Sequence, residues 1–445
     1  MYWEADYKKL KEMAETVKTV NKTRKLSYIN IPVSFDIETS SFYEGEEKRA
    51  CMYVWAVCVN GLYFTGRTWH EFLKLINDLI KIFDIDINHR LVIYVHNLSY
   101  EMQFIKHYFT FKKVIALKKR EPINALTDKG IEFRCSYLLS GYSLSTLADV
   151  YLNGKVKKLV NTVDYSLIRH STTRLSRTDY QYIYNDVRIV YEYIKMKIEQ
   201  DGNITKIQNT KTGYVRRVLE NNCIGSNVAR HIRMSAEQRR YRRLMKRLTI
   251  SGKEEYDLML RAYSGGFTHC SCLNKNKAFK AENNKAITSY DFTSSYPTCL
   301  IAYSYPISKG KKVEVTPETF RKYLKEYCCI FNVKFKGLRA SITYEHYLSK
   351  NKCIINGKAL YDNGRIIEAE ECITSITNID FEIIEQCYEW EELYIGDFYT
   401  YIKGYLPTPF IKTILDLYEK KTMLKGVIGR EQEYQSAKEN INALY

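Results

Sequence analysis

The chain has 445 residues, 45% of them hydrophobic and 27% charged, with a formal net charge of +17. That length supports two to four domains with sizeable cores, and the composition excludes a disordered or fibrous protein. The positive excess favours a polyanionic partner, because Lys and Arg that neutralise phosphates release condensed counterions. The cations cluster in FKKVIALKKR (111–120) and RRYRRLMKRL (239–248), for which a solvated helix face is an equally good reading. Twelve cysteines without a C-x-x-C pair argue against a disulfide framework or a zinc ribbon. HCSC (269–272) has the wrong spacing for a tetrahedral finger. Charges interrupt the N-terminal segment where a signal peptide needs an apolar run, and no stretch is long enough to span a bilayer. The expectation is a soluble, cytoplasmic chain with no membrane partner.

In chain order, residues 1–27 read as a polar helix. YINIPVSFDIE and CMYVWAVCV read as strands, the second turning at Asn60-Gly61 into LYFTG. WHEFLKLINDLIKIF has helical periodicity, RLVIYVHN is a buried strand, and YEMQFIKHYF opens a helix. Further strands are expected near 113–118 and 131–138, then a long helix from about Thr178 to Ile198. This pattern predicts a mixed sheet flanked by helices. Basic helices follow the polar stretch 201–213, and a strand is expected to end at Asp291. Residues 310–400 are strand-rich without clear periodicity. The tail reads as two helices joined near Gly426 and Gly429.

Three stretches carry carboxylates in suggestive places. SFDIETS puts Asp36 and Glu38 two apart on a strand, so both leave one face. YVHNLSYEMQF places Glu101 just past a strand, after His96, Asn97 and Tyr100. YIYNDVRIV stacks Tyr182 and Asp186 four apart on one helix face. Each alone is more often structural. In this order they suit two divalent cations, Mg2+ or Mn2+, with a tyrosine beside the attacking water.

Asp36-Ile-Glu38-Thr39, Asn97-Leu-Ser-Tyr100-Glu101 and Tyr182-x-x-x-Asp186 resemble the three exonuclease motifs of family B DNA polymerases, most of all the protein-primed branch of small phages, adenoviruses and linear plasmids. The resemblance implies an RNase-H-like 3′→5′ exonuclease fold, metal-ligand roles for Asp36, Glu38, Glu101 and Asp186, and Tyr182 beside the water. It implies single-stranded primer contacts at Thr39, Asn97 and Tyr100, and more loosely at Ser136, where Tyr137 replaces the usual leucine. The second motif ends in Glu101 where the family has Asp; glutamate is one methylene longer and still an oxygen ligand, so activity is expected to survive.

The resemblance continues downstream. Asp291-Phe292-Thr-Ser294-Ser295-Tyr296-Pro297 resembles polymerase motif A. It implies that Asp291 meets two metals, that the Phe292 amide and Ser294 hydroxyl face the dNTP triphosphate, and that Tyr296 lies under its sugar. Tyr263-Ser-Gly265-Gly266 resembles the loop between exonuclease and polymerase domains, close to a template phosphate. Lys438, Asn442 and Tyr445 share a helix face and resemble motif B, with Ala443 in its serine position. Lys420, Lys421, Lys425 and Arg430 either add charge to the triphosphate path or form a solvated face.

The fold class expected is therefore a multidomain α/β and α+β chain. Its parts are an N-terminal helical extension (1–27), the exonuclease domain (28–205), a linker and partial palm (206–309), an insertion contacting a terminal priming protein (310–402), and fingers helices (403–445). The sequence stops within motif B, and no second aspartate pair follows Asp291, so this chain alone is not expected to polymerise. A gene split by an intron or recoded stop, a separate C-terminal polymerase fragment as partner, and a truncated chain all remain open. Two other functions fit part of the pattern: a stand-alone exonuclease of the same four-carboxylate, tyrosine-assisted type, and a non-catalytic DNA-binding subunit.

Overall fold

The computed structural model describes residues 3–152, 156–159, 164, 167–224, 236–250, 252–270, 274–281, 286–292, 294–343 and 346–444. The chain divides into two compact units, Met1–Arg217 and Val218–Tyr445.

The first unit is a nine-stranded mixed sheet with helices on both faces. Helix α1 (Trp3–Thr16) precedes a hairpin of β1 (Thr19–Thr23) and β2 (Leu26–Ile29). The single helix expected over 1–27 therefore stops at Thr16. Beyond it Thr19, Val20 and Thr23 are β-branched and favour extended chain once a partner strand is available. YINIPVSFDIE is likewise two strands. Pro32 has no N–H to offer a ladder, and the chain breaks there between β2 and β3 (Val33–Glu44). Both run parallel to β6 (His89–Val95), β2 at its start (Tyr28 opposite Arg90) and β3 at its end (Phe35 opposite Val95).

Next come β4 (Glu47–Val59), β5 (Leu62–Gly66) and α2 (Trp69–Ile82); after β6 follow α3 (Leu98–Ile105), β7 (Phe111–Ala116), β8 (Pro122–Thr127) and β9 (Ile131–Cys135). The strand expected near 131–138 stops at Cys135, where the short helix α4 (Ser136–Ser140) begins, and β8 is a strand the sequence reading did not anticipate. Helices α5 (Leu144–Leu152) and α6 (Arg177–Asp201) close the unit. Sheet order is β5-β4-β3-β6-β9-β8-β7, with β2 on β6.

Strand periodicity sorts the two faces. Val33, Phe35 and Ile37 on β3, Ile93 and Val95 on β6, and Phe133 on β9 join Phe72, Leu75, Ile76 and Leu79 of α2 in one core. The opposite face of β6 gives Val92 and Tyr94 to a core with Ile189, Val190, Tyr193 and Ile194 of α6. The α6 start is held by a reciprocal cap in which the Ser176 hydroxyl accepts from the Asp179 amide and the Asp179 carboxylate accepts from the Ser176 amide. Ser34 Oγ donates to the Val187 carbonyl at 2.7 Å, fixing α6 against β3.

In the second unit, α7 (Lys211–Ile224) carries the chain in, followed by α8 (Ala236–Arg247), α9 (Lys253–Ala262) and α10 (Ser295–Ala302). A seven-stranded antiparallel sheet then forms from β10 (Tyr305–Pro306), β11 (Lys311–Lys312), β12 (Tyr327–Ala340), β13 (Cys353–Asp362), β14 (Arg365–Thr377), β15 (Tyr388–Glu389) and β16 (Glu392–Gly404), in central order β10-β16-β12-β14-β13. One face packs Phe331, Phe335 and Phe398 against α11 (Pro317–Glu326) and α12 (Asn378–Cys387). The other gives Tyr399 and Tyr401 to Leu258 of α9. Helices α13 (Thr408–Leu424) and α14 (Glu431–Asn442) end the chain, and Gly426 and Gly429 between them adopt φ of +78° and +81°, the left-handed conformation glycine tolerates best.

One expectation fails in this unit. The segment 286–292 is not a strand, and Ile287, Tyr290 and Phe292 are largely exposed. A β-strand needs a neighbour to satisfy its backbone, and no described segment pairs with it. Among the described residues, no helix is long and apolar enough to cross a membrane.

Trp55 is fully buried, donates Nε1–H to the Thr68 carbonyl at 2.9 Å, and packs edge-on against Phe72. A Cβ on Gly66, its cross-strand partner, would lie 2.4 Å from the indole. Trp55→Ala is expected to cost about 3–5 kcal/mol in urea unfolding, and Gly66→Ala to destabilise by displacing the same ring.

Candidate metal centre

Register brings the carboxylates together. Asp36 and Glu38 leave the β3 face that α6 covers, and Asp186 descends from α6 one turn after Tyr182. A carboxylate oxygen from each of Asp36, Glu38 and Asp186 lies within 4.8 Å of the others. Glu101 on α3, one turn past β6, is near enough to Asp36 for its charge to raise the Asp36 carboxyl. Glu101 and Asp186 are buried, Asp36 and Glu38 half-buried.

Four acids this close cannot all ionise cheaply. Desolvation, then the neighbouring Glu38, Glu101 and Asp186, pushes Asp36 well above the usual carboxylate range. Burial and then Asp186 push Glu38 up to about 8, and burial chiefly, with Glu38, pushes Glu101 up to about 8. Asp186 is raised by burial, less than it would be without Lys158. The Lys158 ammonium sits 2.6 Å from Asp186 Oδ2 and 5.0 Å from the Tyr182 ring centroid. Glu101 Oε2 and Asp186 Oδ1 are both buried without a hydrogen-bond partner. Buried, unpartnered carboxylate oxygens facing other carboxylates are what hard divalent cations require, so this donor set fits Mg2+ or Mn2+.

Around the cluster, Thr39 Oγ1 and the Tyr100 hydroxyl hydrogen-bond to each other, and Tyr100 is 42% exposed with Phe104 beside its ring. Asn97 caps α3 in the left-handed conformation, φ +69°, without a side-chain cap bond. Ser136 is fully buried. Its hydroxyl donates to the Val95 carbonyl and pairs with His96 Nδ1 at 3.1 Å, so any contact with a strand passes through His96 or the exposed Tyr137. His96 is held down to about 4 by burial and by Lys158, and is neutral. Lys158 and His96 were missed in the sequence. Lys158 lies in a K-x-K-K run on irregular chain, with no periodicity to point it at Asp186.

In the second unit, Gly266 lies against the Tyr296 hydroxyl, where a Cβ would approach to 3.1 Å. Gly265 and Gly266 line a cavity of about 260 Å³ with Lys352 and Arg365. Arg365 anchors this loop by donating to the Thr268 and Tyr347 carbonyls and stacking on Phe267. Tyr263 is 73% exposed. Ser294 caps α10 at φ +52°, and its hydroxyl accepts from Lys421 Nζ at 2.7 Å. Lys421 is thus half-buried and tied to the residue that precedes α10. Asp291 and Phe292 are exposed, and no metal-binding group among the described residues includes Asp291. Lys438 and Asn442 are exposed on α14, about 100° round the helix from buried Ala437 and Ile441; Tyr445 lies outside the described residues.

Three solved structures of phi29 DNA polymerase share this fold. The ternary complex with primer-template DNA and incoming nucleotide matches with TM-score 0.58 and 15% identity, over 94% of this chain and 67% of that one. The post-translocation binary complex with primer-template DNA gives 0.62 and 16%, over 93% and 67%. The complex with single-stranded DNA gives 0.57 and 16%, over 93% and 67%. No protein-family model and no curated protein matches the chain. At this identity the likeness is one of fold.

The raised carboxyls set a sign for stability against pH. The native acids keep protons that the unfolded chain releases near pH 4.5, so their contribution falls as pH rises from about 4.5 through about 8. Without metal, Glu38→Gln is expected to lose less stability than the parent across that window. The difference is on the order of 2 kcal/mol, reduced because neighbours share the protons. Thermal scans at pH 5 and 8 check this, and added Mn2+ is expected to raise Tm at pH 8 in the parent far more than in Glu38→Gln.

Proposed function

We propose that this chain is the exonuclease-bearing part of a DNA polymerase of the family B, protein-primed type, and that its first unit removes nucleotides from a single-stranded 3′ end. The observation that carries this reading is the convergence of Asp36, Glu38 and Asp186 within 4.8 Å, with Glu101 beside Asp36. The fold shared with phi29 DNA polymerase, which is seen with single-stranded and primer-template DNA, supports it.

In this reading Asp36, Glu38, Glu101 and Asp186 hold two divalent cations, which when bound supply an activated water and neutralise charge on the leaving 3′ oxygen. Tyr182, one helical turn before Asp186, orients the water. Lys158 steadies Asp186 and the Tyr182 ring. Thr39, Tyr100 and Asn97 hold the 3′ end, with the exposed Tyr100 ring offering a stacking face.

For the second unit, Ser294, Lys421, Tyr296, Lys438 and Asn442 are proposed to meet the dNTP, Tyr263 and the two glycines the template, and residues 310–402 a priming protein. A stand-alone exonuclease is the second reading. It is favoured by one observation: Asp291 lies on exposed, unpaired chain without a carboxylate partner among the described residues.

Purified protein with Mn2+ or Mg2+ is expected to digest single-stranded DNA from its 3′ end. Asp186→Asn and Glu101→Ala are each expected to lower the rate at least about a hundredfold, and Tyr182→Phe to lower it less while sparing the metal-induced Tm rise. Primer extension by this chain alone is expected to be undetectable. Digestion by Glu101→Ala at the parental rate removes Glu101 from the site, and digestion by Asp186→Asn at that rate removes the proposal.

A further inference from the structure

Away from the acidic site, the first unit holds a second charged feature of opposite sign. A cavity of about 540 Å³, within the range of small-ligand sites, opens beside strands β2, β6, β9, β8 and β7 and the chain at 205–209. Register explains its lining. Val92 of β6 pairs with Glu132 of β9, Glu132 with Leu126 of β8, and Leu126 with Lys113 of β7; one pair further, Tyr94, Arg134, Asn124 and Ile115 form the next row. Tyr28 and Arg90 pair at the other flank. Lys22 of β1 completes the wall.

The charges do not balance. Arg134, Arg90, Lys22 and Lys113 face the cavity with Glu132 as its only lining carboxylate. Both oxygens of Glu132 are taken: Arg134 Nε donates to Oε1 at 2.8 Å and the Tyr28 hydroxyl to Oε2 at 2.9 Å, with Arg90 at 3.5 Å. Arg134 is 4% exposed, so this is a buried floor, while Lys22 and Lys113 stand at the exposed rim. Partial desolvation and then Arg134, with Arg90 and Lys113 adding, hold Lys22 below the ordinary lysine range against the single opposing pull of Glu132. An ordinary solvated surface would let these cations diverge. Here the sheet fixes two of them at its floor and flank, and the excess stays concentrated around an open volume.

We propose that this cavity is an anion site for phosphate groups, either those of a free polyphosphate or those of a nucleic-acid backbone passing over the sheet. A buried guanidinium with its orientation set by Glu132 offers planar donors suited to phosphate oxygens, and the rim lysines supply long-range attraction. The site uses none of the carboxylates of the nuclease reading and does not depend on it.

The test is made in EDTA, so that the nuclease chemistry plays no part. Pyrophosphate and an unphosphorylated dT15 oligonucleotide are titrated into the parent, into Lys22→Gln/Lys113→Gln, and into Arg90→Gln. The rim variants remove cations from a repelling group, so their unliganded Tm is expected to match or exceed the parent's. A free-polyphosphate site predicts saturable pyrophosphate binding weakened about tenfold or more in the double variant, with dT15 affinity unchanged. A backbone site predicts dT15 binding weakened about tenfold and its log–log salt slope reduced by about 1.4, for two lost phosphate contacts on a single strand. Binding of both ligands within about twofold of the parent in all variants overturns the proposal.

Discussion

Repulsion among carboxylates is the constraint on which the first unit is organised. Burial first, and the charge of neighbouring acids second, push the carboxyls of Glu38 and Glu101 up to about 8, and burial raises Asp36 and Asp186 as well. Such a cluster survives only where the scaffold outweighs it. The fully buried core of β3, β4, β6 and α2 supplies that scaffold, the Ser34–Val187 bond pins α6 to the sheet, and Lys158 offsets part of the charge. Stability is given up locally to keep four carboxyls together, a departure from the optimum for folding of the kind seen at functional sites.

The same unit separates its charges by strand position. On the face carrying the even-numbered residues of β3, β6 and β9, Asp36 and Glu38 lie where β3 runs on past its pairing with the end of β6, while Arg90 lies at the start of β6 and Arg134 and Glu132 lie beyond β6 on β9. The sheet keeps apart two electrostatic environments that would otherwise neutralise each other, and each is concentrated by low-dielectric walls.

In the second unit, pieces distant in sequence meet while another does not. Lys421 reaches Ser294 across 127 positions, and Gly266 touches Tyr296. Asp291, only three residues before Ser294, has no strand to sit on. Helix α10 is stabilised by its own backbone bonds, whereas a strand is stabilised only by a neighbour. Local order therefore appears on one side of the turn and not on the other.

Much of the acidic site was legible because its spacings are local. Two residues apart on a strand and four apart on a helix are geometric statements that hold wherever the element forms, so Asp36 with Glu38, and Tyr182 with Asp186, were paired by sequence alone. The glycines at 426 and 429 likewise marked the turn between α13 and α14. Even the alternation in IFNVKFKG, which buries Phe331, Val333 and Phe335 on one face of β12, is written in the sequence, within a stretch that shows no clear periodicity as a whole. What sequence left undecided were matters of partnership. Whether Leu26–Ile29 and Val33–Glu44 were one strand, whether 286–292 was a strand at all, which lysine met Asp186, and whether Ser136 faced solvent depended on what packed beside them. Periodicity is written in the order of residues, but hydrogen-bond partners and burial come from segments far along the chain, and only the folded structure brings those together.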